Sequence, residues 1–186
     1  MTDNALPRGL IGGSEKRLIR IVEYDPQWLD KFQEHSAKIC QAVGAAALRV
    51  EHIGSTSVPE LGAKPIVDIL LVVRNSADEA SYLPALEAAG YVLRVREPEF
   101  EEHRMFRTPE LDVHVHVFSE GSKEIGRYLD FRNRLRTNED ERKGYEALKR
   151  RLAAMDWPNM DAYAAAKGEM VEEIIARERG SESAKG

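Results

Sequence analysis

Residues 50–73, VEHIGSTSVPELGAKPIVDILLVV, contain two strand patterns joined by a turn of small residues. The segment 47–53 predicts the first strand. The run 66–73 is almost continuously apolar, which predicts a strand buried on both faces in the middle of a sheet. Asp68 interrupts this run, and a carboxylate in a buried strand is costly enough to indicate a functional role.

Strand and helix patterns alternate through the rest of the chain. Residues 25–44 begin with an Asp-Pro pair and end at a glycine, which predicts a helix between them. Asn75 and Ser76 are candidate caps for a second helix that extends to residue 89. Further strands are predicted at 18–22, 91–95, 103–107 and 111–118, and further helices at 129–136, from 138 onward and at 161–177.

The order of these elements predicts an α+β fold with α/β-like alternation. We expect a mixed β-sheet with flanking helices, followed by a helical C-terminal region. The chain has 186 residues, of which 42% are hydrophobic and 32% charged, and this composition suits one domain with its own core. We expect that domain at 15–179, between a flexible arm at 1–14 and a flexible tail at 180–186.

Composition argues against several classes of protein. The net charge of −5 does not suit a protein that coats nucleic acid. The single Cys40 cannot form an internal disulfide and is interpreted as a packing residue. No apolar run approaches the roughly 20 residues of a membrane-spanning helix, and residues 1–13 lack the pattern of a secretory signal. We therefore expect a cytoplasmic protein, whose oligomeric state stays open.

The turn after the first strand has the composition of a phosphate-binding loop. Gly54 lets the backbone approach a ligand closely, and Ser55, Thr56 and Ser57 offer hydroxyls and amides to a phosphate. Asp68 on the following strand can then hold Mg²⁺, which usually takes one or two carboxylates together with substrate phosphates. This combination is typical of phosphoryl or nucleotidyl transfer, although Gly-Ser turns and single strand acids also occur without it.

Five blocks of sequence occur in order: VEHIGSTSVP at 50–59, KPIVDI at 64–69, EHRMF at 102–106, HVHV at 114–117 and FRNRLR at 131–136. Together they resemble the GrpB family, an uncharacterised family related to the nucleotidyltransferase fold. The resemblance covers most of the chain and implies a nucleotidyltransferase-like mixed sheet. Relatives of this family also occur fused to dephospho-coenzyme A kinase, which implies a nucleotide or a coenzyme A-like small molecule as ligand without assigning a reaction.

The wider nucleotidyltransferase superfamily places its acids in a recurrent pattern. A Gly-Ser pair opens a helix, a following strand carries two acids separated by one residue, and a third acid lies on a later strand. These acids together hold two metal ions. By resemblance, Gly54 and Ser55 correspond to the Gly-Ser pair, and Asp68 corresponds to the first acid. Leu70 stands where the second acid is expected, so the two-metal set is incomplete.

A later predicted strand offers histidines in place of acids. His114 and His116 are two residues apart and therefore face the same side of the sheet. With Asp68 they would form a set of one carboxylate and two imidazoles that suits Zn²⁺, Mn²⁺ or Fe²⁺ better than Mg²⁺. The alternative is that the histidines pair with acids such as Glu51 or Asp112 on a polar sheet surface. Glu51 either replaces the missing metal carboxylate or pairs with an arginine.

Other polar residues in the matched blocks are candidates for catalysis or phosphate binding. His52 is either a general base or phosphate donor, or a buried structural histidine. Lys64, Arg104, Arg132 and Arg136 are candidate phosphate ligands, with Arg132 and Arg136 on one helical face. The alternative for each cation is an ordinary solvated or ion-paired role.

The sequence is compatible with three functions. The first is metal-dependent nucleotidyl or phosphoryl transfer to a small acceptor, with Asp68, Ser55 and His52 as catalytic residues. The second is a catalytically degenerate module that binds a nucleotide or coenzyme A-like ligand, which Leu70 favours. The third is a metal-dependent hydrolase built on Asp68 and the histidine pair. The expected cofactor is a divalent ion, either Mg²⁺ or a transition metal.

Overall fold

The computed structural model describes residues 9–13 and 15–183, and these residues form a six-stranded sheet. The strand order is β1-β4-β5-β6-β3-β2, in which β3 and β6 are parallel and the other neighbours are antiparallel. The mixed sheet that the sequence predicts is therefore confirmed. Its strands are β1 (Gly9–Leu10), β2 (Arg49–Ile53), β3 (Val67–Val73), β4 (Val92–Glu97), β5 (His103–Arg107) and β6 (Val113–Ser119).

Six helices of the described chain flank this sheet. They are α1 (Gln27–Val43), α2 (Leu83–Ala88), α3 (Lys123–Thr137), α4 (Glu139–Ala153), α5 (Met160–Ala165) and α6 (Gly168–Ser183). α1 and α2 pack on one face around Ile69 and Leu71, and α3 packs on the other face around Leu70 and Phe118. Because helices cover both faces, the central strand is apolar along nearly its whole length. The predicted α+β class with a helical C-terminal region is confirmed.

The strand predicted at 18–22 is wrong. Within the described residues, this segment pairs only through an isolated bridge between Val22 and Ala63. Ile19 is buried in a cluster with α4 and α5, whereas Leu18 is exposed to solvent. Ile19 is therefore buried against helices, and tertiary packing overrides the β-propensity of the sequence.

Two predicted helices have different bounds in the structure. The helix expected from Asn75 begins at Leu83, because the Asn75 side chain accepts from the Ala77 amide in a turn and a 3-10 turn at Glu79–Ser81 follows. The helix predicted at 161–177 is divided into α5 and α6. This second break places a lysine at the site described below.

The two ends of the described chain extend the fold. β1 lies in the segment predicted as an arm and pairs with β4. α6 continues to Ser183, inside the segment predicted as a tail. The rest of these two predicted segments, at 1–8, 14 and 184–186, lies outside the described residues. No helix in the described part of the chain is both long and apolar enough to cross a bilayer.

Candidate active site

One face of the sheet brings Asp68, His114 and His116 together. Asp68 is the second residue of β3, and the parallel strand β6 places His114 beside it in register. His116 lies beside Leu70 in the same register. Because side chains alternate between the two faces of a strand, the three polar side chains point to the face that α3 covers.

These three side chains are spaced as metal ligands. Asp68 Oδ1 lies 3.5 Å from His114 Nδ1 and 3.6 Å from His116 Nε2, and the three donor atoms all lie within 4.8 Å of one another. Two ligands of a tetrahedral ion with bonds near 2.1 Å are separated by about 3.4 Å. Both carboxylate–imidazole distances are longer than ordinary hydrogen bonds. The spacing therefore fits a shared cation.

A chain of hydrogen bonds orients the His116 ring through Nδ1, the nitrogen that faces away from Asp68. Glu97 Oε2 lies 2.8 Å from His103 Nδ1, and His103 Nε2 lies 3.1 Å from His116 Nδ1. Burial lowers the pKa of His103, so its ring is neutral at pH 7, and it donates its one proton from Nδ1 to the Glu97 carboxylate. His116 then donates from Nδ1 to His103 Nε2, so Nε2 is the His116 ring nitrogen that faces Asp68. A carboxylate–histidine chain of this kind commonly supports a metal-binding imidazole.

Asp68 presents a negative charge at this position. Desolvation raises the pKa of its carboxyl, but His114 and His116 outweigh this effect and hold the pKa well below the ordinary aspartate range. The Asp68 side chain is 28% exposed, so a ligand can reach it. The site thus combines an ionised carboxylate with access from the adjoining space.

The turn after β2 packs against the Asp68 carboxylate. Gly54 has a φ of +69° and a ψ of −174°, a conformation that favours glycine. A Cβ atom at this position would collide with Asp68 Oδ2. The close approach expected at Gly54 therefore occurs to the candidate metal ligand, and the position requires glycine for both its backbone and its lack of a side chain.

The predicted phosphate-binding turn is only partly available. Residues Ser55–Ser57 form a single 3-10 turn instead of opening the helix implied by resemblance. Thr56 and Ser57 are buried, and each donates its hydroxyl to a backbone carbonyl. These two hydroxyls are therefore engaged within the protein and do not face a ligand. Ser55 differs, because it lines a cavity together with Asp68.

His52 lies on the opposite face of the sheet from Asp68, so its position does not suit the predicted catalytic role. Its ring stacks on Phe32 of α1 with ring centroids 4.7 Å apart, and Nε2 lies 3.1 Å from Thr56 Oγ1. Burial lowers the pKa of His52 to about 4, so the ring is neutral at pH 7. The environment matches the alternative interpretation, a buried histidine that fixes the turn.

Two arginines predicted as phosphate ligands support the turn from α3. Arg132 donates to the Glu51 carboxylate at 2.8 Å and to the His52 carbonyl at 3.0 Å. Arg136 donates twice to the Ser57 carbonyl, at 2.9 and 2.7 Å. These bonds satisfy backbone carbonyls at the end of β2 and in the 3-10 turn. The two arginines therefore contact protein groups where phosphate was expected.

Arg104 is separated from Asp68 by the sheet. Its register partner on β6 is Val117, whose side chain belongs to the core beneath α1. The buried Arg104 guanidinium lies 2.6 Å from the Glu79 carboxylate. Because side chains alternate along β5, Arg104 points to the face opposite Asp68, and the fold does not bring this candidate phosphate ligand to the site.

The position of the expected second acid belongs to the core. Leu70 is fully buried with Ile53 and Phe118 against α3. In the part of the chain that the structure describes, the ligand set around Asp68 is completed by imidazoles and not by further acids. The site therefore departs from the two-metal arrangement of the nucleotidyltransferase superfamily.

The acids considered as partners of the histidines are engaged elsewhere. Glu51 pairs with Arg49 and Arg132, both at 2.8 Å, which matches the arginine-paired alternative. Asp112 pairs with Lys31 at 2.5 Å. Asp68 is thus the carboxylate that the described structure places against both histidines.

Three lysines line a cavity of about 110 Å³ beside the ligand set. Lys64 precedes β3 and, like Ser55, is a predicted phosphate ligand that the fold brings to the site. Lys149 of α4 and Lys167 between α5 and α6 carry no motif, and sequence reasoning misses them. The available signal for Lys149 is its position on the buried face of α4 between Tyr145 and Leu152.

A larger cavity of about 610 Å³ adjoins the first. His114 and His116 form part of its wall together with Arg94 of β4. The two cavities share Lys64, Ile66 and His114. The ligand set therefore lies at the junction of a small lysine-lined space and a space large enough for a small organic molecule.

These features define an α+β protein whose mixed sheet carries a candidate metal centre at the junction of two cavities. The sequence matches the family described as GrpB protein over residues 18–177, and the chain belongs to this family. It is 51% identical over 159 residues to a UPF0157 protein of Halalkalibacterium halodurans, which covers 86% of this chain and 82% of that protein. The crystal structure of conserved protein GrpB from Enterococcus faecalis matches with a TM-score of 0.74 and 33% identity over 86% of this chain and 96% of that chain.

A shorter similarity involves a coenzyme A enzyme. The chain is 37% identical over 76 residues to a dephospho-CoA kinase of Mycolicibacterium paratuberculosis, which amounts to 39% of this chain and 19% of that protein. This partial match agrees with the expectation that relatives of the family occur fused to that kinase. The predicted family membership is confirmed by the matches that cover most of the chain.

Proposed function

We propose that this chain is a divalent-metal-dependent enzyme of phosphoryl or nucleotidyl transfer that acts on a phosphorylated small molecule. The observation that carries the proposal is the set of Asp68, His114 and His116, with metal-ligand spacing, at the junction of the two cavities. Two imidazoles and one carboxylate favour Zn²⁺, Mn²⁺ or Fe²⁺ over Mg²⁺. Such an ion polarises a phosphoryl oxygen and stabilises charge that develops during transfer.

In the proposed reaction, the ligand set and the lysine would have separate roles. Asp68 and the two histidines would hold the ion, and the His103–Glu97 chain would keep the His116 ring oriented with Nε2 towards it. Lys64 supplies positive charge to a phosphate between the two cavities. A single ion is sufficient for this arrangement, which agrees with the absence of a second acid beside Asp68 in the described ligand set.

Metal binding tests the proposal directly. The protein would be stripped with a chelator, reconstituted with Zn²⁺ or Mn²⁺ and assayed by elemental analysis and titration. We expect about one ion per chain in the wild type and at least about 100-fold weaker binding in His116→Asn. His35→Asn is the matched control, since the His35 ring is also hydrogen-bonded, to Tyr91, but lies outside the site. Equal binding by wild type and His116→Asn would overturn the metal centre.

An activity assay tests the proposed transfer reaction. Metal-loaded protein would be supplied with nucleoside triphosphates and small acceptors, and release of pyrophosphate and phosphate would be followed. Asp68→Asn is expected to lose turnover while His35→Asn retains it. Retained turnover in folded Asp68→Asn would contradict the assignment, and transfer of the phosphoryl group to water alone would identify the enzyme as a hydrolase.

Leu70 favours a second candidate function, a binding module for a nucleotide or coenzyme A-like ligand. The leucine is fully buried at the position where the superfamily carries a catalytic acid. This alternative predicts saturable binding of such ligands without product formation. Pyrophosphate release that depends on Asp68 would exclude it.

A further inference from the structure

The small cavity contains more positive charge than its surroundings neutralise. Lys64, Lys149 and Lys167 come from three separate segments and line it together with Asp68. Among the residues that the structure describes, none of the three ammonium groups forms an ion pair with a carboxylate. Asp68 is the one acid in the described lining, and its carboxylate already faces the two histidines.

Aromatic rings position the lysines without neutralising them. The ammonium groups of Lys64 and Lys167 lie 5.2 and 4.6 Å from the centroid of the Tyr163 ring. Lys149 lies 5.0 Å from the centroid of Tyr145 and donates to a backbone carbonyl. Cation–π contacts orient an ammonium group but leave its charge available to an anion. The buried Tyr163 hydroxyl has no hydrogen-bond partner within the described residues.

Holding these cations together is unfavourable in the free protein. Desolvation and the neighbouring ammonium group of Lys167 lower the pKa of Lys149 to about 7. Desolvation and Lys64 lower the pKa of Lys167 to about 8. An anion in the cavity would relieve the repulsion and favour the charged form of each lysine. Charge clusters of this type are concentrated at functional sites.

We propose that the lysine cavity binds the terminal phosphate group of a phosphomonoester whose organic part lies in the larger adjoining cavity. The small cavity, at about 110 Å³, has room for one phosphate in place of a few water molecules of about 30 Å³ each. The larger cavity, at about 610 Å³, is in the usual size range for a small organic ligand. The substrate class rests on the proposed function, whereas phosphate binding itself does not require the metal.

Titration with inorganic phosphate tests this subsite. Binding would be measured by calorimetry at pH 7 in the presence of a chelator, which removes any contribution from a metal ion. We expect saturable binding by the wild type and at least about tenfold weaker binding by Lys167→Gln and by Lys149→Gln, because each loses a charged hydrogen-bond donor. Lys38→Gln is the control, since Lys38 also lies over a tyrosine ring, that of Tyr91, but is exposed and outside the cavity.

Thermal unfolding of Lys167→Gln separates ligand binding from a structural role. If Lys167 is present to bind phosphate, its removal relieves repulsion and leaves the unfolding temperature of the free protein unchanged or higher. A marked fall in that temperature, or phosphate binding equal to that of the wild type, would overturn the proposal. Absence of saturable phosphate binding in the wild type would overturn it as well.

Adenosine 5′-monophosphate is the probe for the adjoining cavity. It should displace phosphate and bind more tightly than phosphate, whereas adenosine should not compete. Tighter binding of adenosine 5′-triphosphate than of the monophosphate would contradict a single-phosphate subsite. Retention of phosphate binding by His116→Asn supports the subsite even if the metal centre fails, so the two proposals can be lost independently.

Discussion

The position of a residue along its strand decides whether its side chain lies at this site or on the opposite face of the sheet. Asp68 is in register with Ile53 on β2 and with His114 on β6, so its side chain points to the face that carries the candidate metal centre. His52 directly precedes Ile53 on β2, so its imidazole points to the other face and lies against α1. A shift of one residue therefore separates a metal ligand from a structural histidine, although both lie in the same block of sequence.

Gly54→Ala tests the contact between the turn and the metal ligand. The added Cβ would displace the Asp68 carboxylate, so we expect at least about tenfold weaker binding of Zn²⁺ or Mn²⁺. The positive φ should also lower the free energy of unfolding by about 1–3 kcal/mol. Metal titration and urea unfolding measure the two effects separately.

Gly44→Ala is the matched control for this substitution. Gly44 has a φ of +60° and a ψ of −133°, and a Cβ there would have no described neighbour within 4 Å. We expect Gly44→Ala to lose stability but to bind metal as the wild type does. Equal metal affinity in the two variants would show that Gly54 does not constrain the Asp68 carboxylate.

Strands and helices with strong local sequence patterns could be predicted from the sequence. The site residues could be predicted only where such an element places them. The apolar run 66–73 and the alternation in 111–118 correspond to β3 and β6. Alternation within β6 is sufficient to place its two histidines on one face. Lys149 and Lys167 approach each other only through the packing of α4, α5 and α6, which local periodicity does not encode.

The contact between α3 and the end of β2 gives an element-scale prediction. Arg132 is 12% exposed and links the helix to Glu51 and to the His52 carbonyl. We expect Arg132→Gln to lower the free energy of unfolding by about 1–3 kcal/mol, because it leaves a carbonyl and part of a carboxylate unsatisfied. Urea unfolding measures the loss, and hydrogen exchange should show faster exchange at residues 54–58.

Arg49→Gln provides the control for this contact. Arg49 pairs with the same Glu51 carboxylate, but its side chain is 48% exposed, so its removal should cost less than about 1 kcal/mol. Phosphate binding would be measured in parallel. Unchanged stability of Arg132→Gln combined with weaker phosphate binding would restore the phosphate-ligand role that the sequence suggested.

At the scale of the whole molecule, the candidate chemistry lies on one face of the sheet, beside the apolar cluster that α3 covers. α1 and α2 bury one face in a continuous apolar core. The other face carries the metal ligands, the lysines and both cavities. Residues 15–20 form part of the lining of the larger cavity, and the Glu15 carboxylate accepts hydrogen bonds from Arg107 of β5 and forms an ion pair with Arg94 of β4.

Glu15→Gln tests this connection through its pH dependence. Hydrogen bonds from Arg107 and Arg17 lower the pKa of Glu15 from 4.5 to about 2. A carboxylate with a depressed folded-state pKa stabilises the fold above its unfolded-state pKa, and this contribution is lost as the pH falls through the folded-state value. We expect Glu15→Gln to be less stable than the wild type by about 1 kcal/mol at pH 7.

The stability difference between wild type and Glu15→Gln should shrink as the pH falls from 5 to 3, and urea unfolding across this range measures it. Comparing the two proteins at each pH cancels the protonation of the other carboxylates. Glu23→Gln is the control, because Glu23 pairs with Arg150 but is 87% exposed and should contribute little at any pH. A difference for Glu15→Gln that stays constant between pH 5 and 3 would mean that the segment is held by its apolar contacts, with Ile19 against α4 and α5, and not by the Glu15 carboxylate.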